Sequence, residues 1–179
     1  MDIKNHKISN IQFLDSPNFN SRPRDAIIDL VVIHCISLPR GEYKNTNVEK
    51  FFLNELDQSL DKNFEETEGL KVSSHLYIKR DGKIIQFVPF NKRAWHAGKS
   101  CYEGSQDCNN NSIGIELQGT DTSEFEVDQY NSLVKVLKLL FNEYPNITPR
   151  RVVGHSDIAP GRKTDPGHCF DWSILKELK

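Results

Sequence analysis

Residues 26–33 read Ala-Ile-Ile-Asp-Leu-Val-Val-Ile, and this run of aliphatic side chains decides the fold class. Its apolar residues are consecutive rather than alternating, which is typical of a strand buried on both faces of a sheet. Such strands occur mainly in parallel or mixed sheets that other elements cover on both sides. The run therefore predicts an α/β fold with a central, mostly buried β-sheet flanked by helices.

Further strand signals follow along the chain. Residues 72–78 and 83–88 flank Asp81-Gly82, a dipeptide that favours the tight turn of a β-hairpin. Residues 112–117 form another apolar run, in which a glycine allows close approach of a neighbouring group. Residues 151–154 predict a short final strand.

Helix signals alternate with these strands. Residues 130–144 carry apolar side chains at i, i+3, i+4, i+7, i+10 and i+11, which predicts an amphipathic helix that stops at Pro145. We expect a shorter helix after an N-cap within residues 45–47 and a closing helix capped by Asp171. Residues 57–69 are acidic and aperiodic, and they predict a solvated loop.

The chain of 179 residues has the length of one domain. Residues 1–24 are polar, with Pro17 and Pro23 breaking the chain, and we expect an irregular N-terminal segment there. Residues 25–179 alternate strands and helices around one core and predict a single α/β domain, with no internal repeat.

Charge and hydropathy exclude several classes of protein. Lys and Arg number 23 against 25 Asp and Glu, so the chain lacks the basic excess expected of a nucleic-acid binder. The longest apolar stretch, residues 27–36, is too short to span a membrane and is interrupted by Asp29 and His34. The first residues lack the apolar core of a secretory signal, so we expect a cytoplasmic protein.

The four cysteines predict no special chemistry. They lie at Cys35, Cys101, Cys108 and Cys169, without the Cys-x-x-Cys spacing of a structural zinc site. Reduced thiols are the expected state in a domain of this size without an export signal. Cys35 follows His34 directly, but adjacent residues on a strand point to opposite faces, which disfavours a thiol nucleophile with His34 as its base.

Three polar residues come near the ends of separate predicted strands: His34, Glu116 and His155. A single histidine in such a position is ordinarily a hydrogen-bonded residue at the edge of the core. Three polar side chains leaving separate strands predict a shared cleft instead.

The segment after His155 extends this set. Prolines and glycines in residues 160–167 prevent regular structure and predict a rigid loop that carries Lys163 and Asp165 near His155. Two histidines and one carboxylate suit catalytic zinc, because three protein ligands leave a fourth position for water. A further carboxylate could take the proton of that water, and a fixed cation could stabilise an oxyanion. Glu116 fits the first role, and Lys163 or its neighbour Arg162 fits the second.

A series of motifs, in order along residues 25–172, resembles one family. The motifs are Val32-Ile33-His34, Ser73-Ser74-His75, Arg80-Asp81-Gly82, Val88-Pro89-Phe90, residues 93–98 (Arg-Ala-Trp-His-Ala-Gly), Cys101-Tyr102, residues 111–117 and residues 154–167. Together they resemble the zinc-dependent N-acetylmuramoyl-L-alanine amidases, and among them the cytoplasmic enzymes that process 1,6-anhydro muropeptides in cell-wall recycling. That family shares its fold with phage lysozyme-type amidases and animal peptidoglycan recognition proteins.

The resemblance implies roles for individual residues. It implies a Zn²⁺ ion on His34, His155 and Asp165, with Glu116 and Lys163 as the catalytic pair. It also favours substrate contacts from Trp95, whose ring suits a sugar face, and from His96 and Lys71. The alternative for residues 95 and 96 is a core Trp95 with His96 hydrogen-bonded beneath it. His75 is expected to be structural and His168 exposed on a loop.

One position departs from the family pattern. Arginines of the recycling amidases match Lys71 and Asp107 here, and they are thought to meet the acidic stem peptide. Lys71 keeps the charge, but Asp107 inverts it, and a carboxylate does not pair with the carboxylate of a diaminopimelate-containing peptide.

The resemblance implies hydrolysis of the amide between N-acetylmuramic acid and L-alanine in a small soluble muropeptide, by a monomer that binds no nucleic acid and no membrane. Two alternatives stay open. One is a peptidoglycan-binding module without activity, and the other is a lytic amidase that attacks intact peptidoglycan.

Overall fold

The computed structural model describes residues 1–178, and it describes their side chains except those of residues 63, 65, 66 and 177. The strands of this part of the chain are β1 (Ile3–Lys4), β2 (Lys7–Ile8), β3 (Gln12–Phe13), β4 (Phe19–Ser21), β5 (Leu30–Ile36), β6 (Leu76–Ile78), β7 (Ile84–Gln86), β8 (Lys92–Ala94), β9 (Cys101–Tyr102), β10 (Ser105–Gln106), β11 (Ser112–Gln118) and β12 (Val152–Gly154). The α-helices are α1 (Asn47–Phe52), α2 (Val127–Glu143) and α3 (His155–Ile158). Short 3-10 turns cover Gln58–Leu60, Lys62–Thr67, Cys108–Asn110, Pro149–Arg151 and Trp172–Glu177. In the described part, no helix combines the length and the apolarity that a membrane crossing requires.

A six-stranded sheet in the order β12-β5-β11-β6-β7-β3 forms the centre of the molecule. β12, β5, β11 and β6 run parallel, whereas β7 returns antiparallel to β6. β11 is buried along its whole length, and β5 is buried over its first five residues. The mixed, buried sheet confirms the α/β fold class that the run of consecutive apolar residues predicts.

The two faces of β5 have different neighbours, and this difference positions the site. Val31 and Ile33 belong to a core cluster with buried leucines of α2. Leu30 and Val32 pack on the opposite face, against Ala97 and Val153 of β12. His34 continues this second, even-numbered face, because side chains alternate along a strand.

The parallel register between β5 and β11 aligns the polar residues of both strands. Glu116 lies opposite His34, and Gly114 lies opposite Val32. The even-numbered residues of the two strands therefore share one face, so the Glu116 carboxylate and the His34 ring leave the sheet side by side.

The predicted hairpin and the predicted long helix are both present. β6 and β7 pair around a turn in which Gly82 has a φ of +77° and donates its N–H to the carbonyl of Lys79. A Cβ atom on Gly82 would lie 2.7 Å from the Asp128 carbonyl, so this turn packs closely on α2. α2 begins three residues before the apolar stripe does and ends at Glu143, one residue before Tyr144 and two before Pro145.

The N-terminal segment is more ordered than its sequence indicates. Residues 1–24 contain β1 to β4; β3 adds a parallel edge strand to the central sheet next to β7, and β4 pairs with β8. Each of these strands has two or three residues, too few to show a hydropathy period. The irregular structure expected here was therefore wrong, and the domain division at residue 25 stays a prediction. Lys179 lies outside the described residues.

Arg22 ties this segment to the rest of the protein. Its guanidinium donates to four backbone carbonyls, those of Phe90, Asn109, Asn110 and Ser112. Burial lowers the pKa of this guanidinium to about 10. A buried charge is tolerated where every donor finds an acceptor, and these carbonyls supply that set.

Two other local predictions need correction. Residues 57–69 form 3-10 turns rather than an open loop, because Phe64 is buried in a core cluster and anchors them. The side chains of Glu65 and Glu66 lie outside the described ones. The closing helix is a 3-10 turn, and the carboxylate of Asp171 caps it by accepting from the Ser173 N–H at 2.8 Å.

Candidate metal centre

Three predicted ligands meet at the edge of the sheet. The Nδ1 atoms of His34 and His155 lie 2.9 Å apart, and Oδ2 of Asp165 lies 3.0 Å from each of them. The side chains of the three residues are 2%, 5% and 16% exposed, respectively. The structure therefore brings together all three ligands that the sequence selects.

Each ligand comes from a different kind of element. His34 lies near the end of β5, and His155 opens α3 directly after β12, the strand that pairs with β5. Asp165 belongs to the loop of residues 159–167, which has no regular structure, as its prolines and glycines predict. The Ser156 N–H donates to the Asp165 carbonyl at 2.9 Å and holds this loop against α3.

The other ring nitrogen of His155 fixes its tautomer. Nε2 of His155 lies 3.0 Å from the Ala97 carbonyl, which only accepts hydrogen bonds, so Nε2 carries the ring proton. Nδ1 then has a free lone pair directed at the other two ligand atoms. His34 is neutral at physiological pH, because burial lowers its pKa to about 4.

This donor set fits a zinc ion. Two imidazole nitrogens and one carboxylate oxygen approach one another within 3.0 Å, and they form the only described group of three His, Cys, Asp or Glu side chains arranged to hold a metal. Zinc bonds of roughly 2.0–2.2 Å at tetrahedral angles place ligand atoms about 3.3 Å apart. The triangle of His34, His155 and Asp165 has nearly that size, and its three-ligand composition matches catalytic sites of this metal.

Glu116 lies beside this triangle on the neighbouring strand, and it is 8% exposed. Among the described residues, its Oε2 atom has no hydrogen-bond partner. Burial raises the pKa of Glu116 well above its ordinary value, the Asp165 carboxylate adds to this effect, and Lys163 opposes it. A buried carboxylate with a free oxygen and a raised pKa is suited to accept a proton.

A cavity of about 590 Å³ reaches the centre at Asp165, and Lys163 and Cys35 are also among its lining residues. Lys163 is exposed at this cavity, whereas Nη2 of Arg162 donates to the carbonyls of Ala97 and Lys99, at 2.7 Å each. These bonds occupy the Arg162 guanidinium, so Lys163 is the cation of this pair that remains available to the cavity.

The thiols have no role in this centre. All four cysteines are free. Burial raises the pKa of the Cys35 thiol, which disfavours the nucleophilic thiolate. Cys35 packs with the α2-side cluster, on the face of β5 opposite to His34, and this arrangement agrees with the argument against a thiol enzyme.

His96, which is predicted to contact substrate, has protein partners at both ring nitrogens. Its Nδ1 lies 2.9 Å from Nε2 of His34, and its Nε2 lies 3.2 Å from the Ser112 hydroxyl. Both ring nitrogens therefore face protein groups behind the metal centre. A Cβ atom on Gly114 would lie 2.5 Å from the His96 ring, so the glycine within β11 makes room for this ring. In the sequence, the glycine indicates that a neighbouring group approaches this strand closely. No sequence signal points to Ser112 as a partner of His96.

The remaining recognition residues lie apart from the three ligands. The indole N–H of half-buried Trp95 donates to the Asn20 side chain at 2.9 Å. Lys71 is exposed and lines a separate cavity of about 140 Å³. Asp107 accepts two hydrogen bonds from Arg93, at 2.8 and 2.6 Å. Arg93 is a further candidate for recognition, because it lines a third cavity of about 400 Å³ together with Asp107.

Comparisons with known proteins agree with this geometry. A family model described as N-acetylmuramoyl-L-alanine amidase matches residues 23–168. The chain is 47% identical to 1,6-anhydro-N-acetylmuramyl-L-alanine amidase AmpD of Escherichia coli K12, over 91% of this chain and 88% of the relative. It superposes on a crystal structure of a selenomethionine AmpD derivative with a TM-score of 0.96 and 43% identity, covering 99% of both chains.

A more distant structure contains a bound muropeptide. It is the E. coli amidase AmiD in complex with anhydro-N-acetylmuramic acid-L-Ala-D-γ-Glu-L-Lys, at a TM-score of 0.61 and 31% identity, covering 87% of this chain and 60% of that one. The family match spans five of the six strands of the central sheet, the three candidate ligands and Glu116. The chain belongs to the N-acetylmuramoyl-L-alanine amidase family.

Proposed function

We propose that this chain is a zinc amidase that hydrolyses the bond between N-acetylmuramic acid and L-alanine in soluble muropeptides, with the 1,6-anhydro sugar as its preferred form. The observation that carries the proposal is the triangle of His34, His155 and Asp165 beside the buried carboxylate of Glu116. The names of the AmpD relatives and the ligand of the AmiD complex support the substrate class.

The three ligands would hold one Zn²⁺ ion. Zinc in such a site polarises a carbonyl oxygen and lowers the pKa of water to near 7. The protein contributes the fixed geometry, because the ligands are buried and the tautomer of His155 is set by a backbone carbonyl.

Glu116 would move the proton of the reaction. Its carboxylate accepts a proton from the attacking water and then donates it to the amine of L-alanine as the amide bond breaks. Burial raises the pKa of Glu116 above its ordinary value, so this carboxylate takes up a proton more readily than an exposed glutamate does.

Lys163 would stabilise the negative oxygen that develops on the scissile carbonyl. Its ammonium is exposed to the 590 Å³ cavity and acts electrostatically on both Glu116 and His34. A preplaced cation at a developing charge is a common and large contribution to the rate of amide hydrolysis.

We infer that the protein acts in the cytoplasm, as a monomer, on fragments released from the cell wall. The near-balanced charge of the chain gives it no broad basic surface for a polymeric anion. Trp95 and Lys71 would contact the sugar and the stem peptide, respectively, in such a fragment.

One experiment separates the candidate activities. The purified protein is incubated with anhydro-muropeptide and with intact peptidoglycan, each with zinc and with a chelator, and released peptide is measured. We expect zinc-dependent release from the anhydro-muropeptide. Release from intact peptidoglycan alone would indicate a lytic enzyme, and a protein that binds no zinc and releases nothing would indicate a binding module.

A further inference from the structure

A line of hydrogen bonds runs from the back of His34 into the protein. Nε2 of His34 lies 2.9 Å from Nδ1 of His96, and Nε2 of His96 lies 3.2 Å from the Ser112 hydroxyl. That hydroxyl in turn donates to the Cys108 carbonyl. The line thus joins His34 to a backbone carbonyl through half-buried His96 and buried Ser112.

The available protons determine the direction of every bond in this line. A carbonyl oxygen only accepts, so the single proton of the Ser112 hydroxyl goes to Cys108, and the hydroxyl oxygen accepts from His96. Nε2 of His96 therefore carries the ring proton, and Nδ1 of the same neutral ring is an acceptor. His34 must then donate from its own Nε2, which leaves its Nδ1 lone pair free on the side of His155 and Asp165.

The surroundings hold the His96 ring in this position. The Asn109 side-chain oxygen accepts the backbone N–H groups of His96 and Ala97, at 3.0 and 2.8 Å. Gly114 leaves the space that the ring occupies.

We propose that Ser112 and His96 are positioning residues that set the tautomer of His34 and so present its Nδ1 lone pair to the metal. This inference rests on the zinc centre proposed above. Outer partners of ligating histidines commonly act in this way. Here the Cys108 carbonyl fixes the direction of the Ser112 hydroxyl. That hydroxyl fixes which nitrogen of His96 is protonated, and His96 does the same for His34.

The first test compares Ser112→Ala with Ser16→Ala. Ser16 is a matched control, because its buried hydroxyl also donates to a backbone carbonyl, that of Phe52. Without the Ser112 hydroxyl, His96 loses its acceptor and can carry its proton on Nδ1, which drives the His34 proton onto the ligand nitrogen. We expect zinc affinity, measured by chelator competition, to fall about 10- to 100-fold in Ser112→Ala and to stay unchanged in Ser16→Ala.

The second test uses the unaltered, metal-free protein and does not depend on any variant folding. Long-range ¹H–¹⁵N NMR at pH 8 assigns the protonated nitrogen of each histidine ring. We expect protons on Nε2 of both His34 and His96. A proton on Nδ1 of His96, or zinc affinity in Ser112→Ala equal to that of the parent, would overturn the proposal. A parent protein that binds no zinc would refute the metal centre itself, while these NMR signals still report the line of hydrogen bonds.

Discussion

The metal side of the molecule and its proposed recognition side are built differently. On the metal side, His34 and Glu116 lie in register on adjacent buried strands, and His155 directly follows a third strand. On the recognition side, Trp95 and Asp107 lie outside the central sheet, and each has a partner of its own, Asn20 and Arg93, respectively. The proposed reacting groups are thus fixed by the sheet, whereas the proposed recognition groups are held by separate local contacts. Substitutions on the metal side should therefore change the rate, and substitutions on the recognition side should change the substrate affinity.

The largest effect should come from Glu116→Gln, which keeps the shape of the side chain and removes its ability to take a proton. We expect kcat to fall about 10²- to 10⁴-fold with zinc affinity retained. Glu49→Gln is the control, because Glu49 is also a buried carboxyl but pairs with Lys79 at 2.8 Å. If Glu116→Gln turned over substrate as fast as the parent protein, Glu116 would be excluded as the general base.

Lys163→Ala should follow, because it removes the cation at the developing oxyanion. We expect kcat to fall about 10²- to 10³-fold, the loss typical of one oxyanion donor. Lys62→Ala removes another cation that lines the same cavity, and it should leave kcat nearly unchanged. Equal losses in the two variants would mean that overall charge, and not a placed ammonium, supports the reaction.

Trp95→Ala should change the substrate affinity without changing the rate. If the indole packs on the sugar, its removal raises KM about two- to tenfold, in line with aromatic contacts of this kind, and leaves kcat and zinc affinity unchanged. Trp172→Ala, which removes an exposed tryptophan near the C-terminus, should leave all three quantities unchanged. A fall in kcat without a change in KM would contradict the division proposed above.

The smallest effect should come from Asp107→Ala, which frees Arg93 from its ion pair. A free guanidinium can pair with a carboxylate of a diaminopimelate-containing stem, and we expect KM for that substrate to fall about two- to fivefold, the worth of one partly exposed pair. Glu103→Ala, which breaks the exposed pair with Arg151, is the control. An unchanged KM in Asp107→Ala would exclude Arg93 from substrate recognition.

The sequence predicts the metal side far better than its surroundings. The buried runs of β5 and β11 and the loop of residues 159–167 carry local signals, and these signals select the three side chains that meet in the structure. Arg22 has no such signal, because its acceptors are backbone carbonyls about 70 to 90 residues away.

His96 shows a second limit of the sequence. The motif of residues 93–98 pointed to the cleft, but only the packing of its ring beneath Gly114 reveals that it faces the back of His34. Its role depends on a contact across the fold, which hydropathy and spacing do not encode.

β11 carries three functional elements at intervals of two residues: the Ser112 hydroxyl, the space at Gly114 and the Glu116 carboxylate. All three lie on one face because their spacing equals the period of the strand. A one-residue insertion or deletion between Ser112 and Glu116 would turn one of these two side chains towards α2. It would also bring aliphatic side chains to the metal centre. In relatives of any divergence, the length of this strand should therefore be more strictly preserved than the identity of its apolar residues.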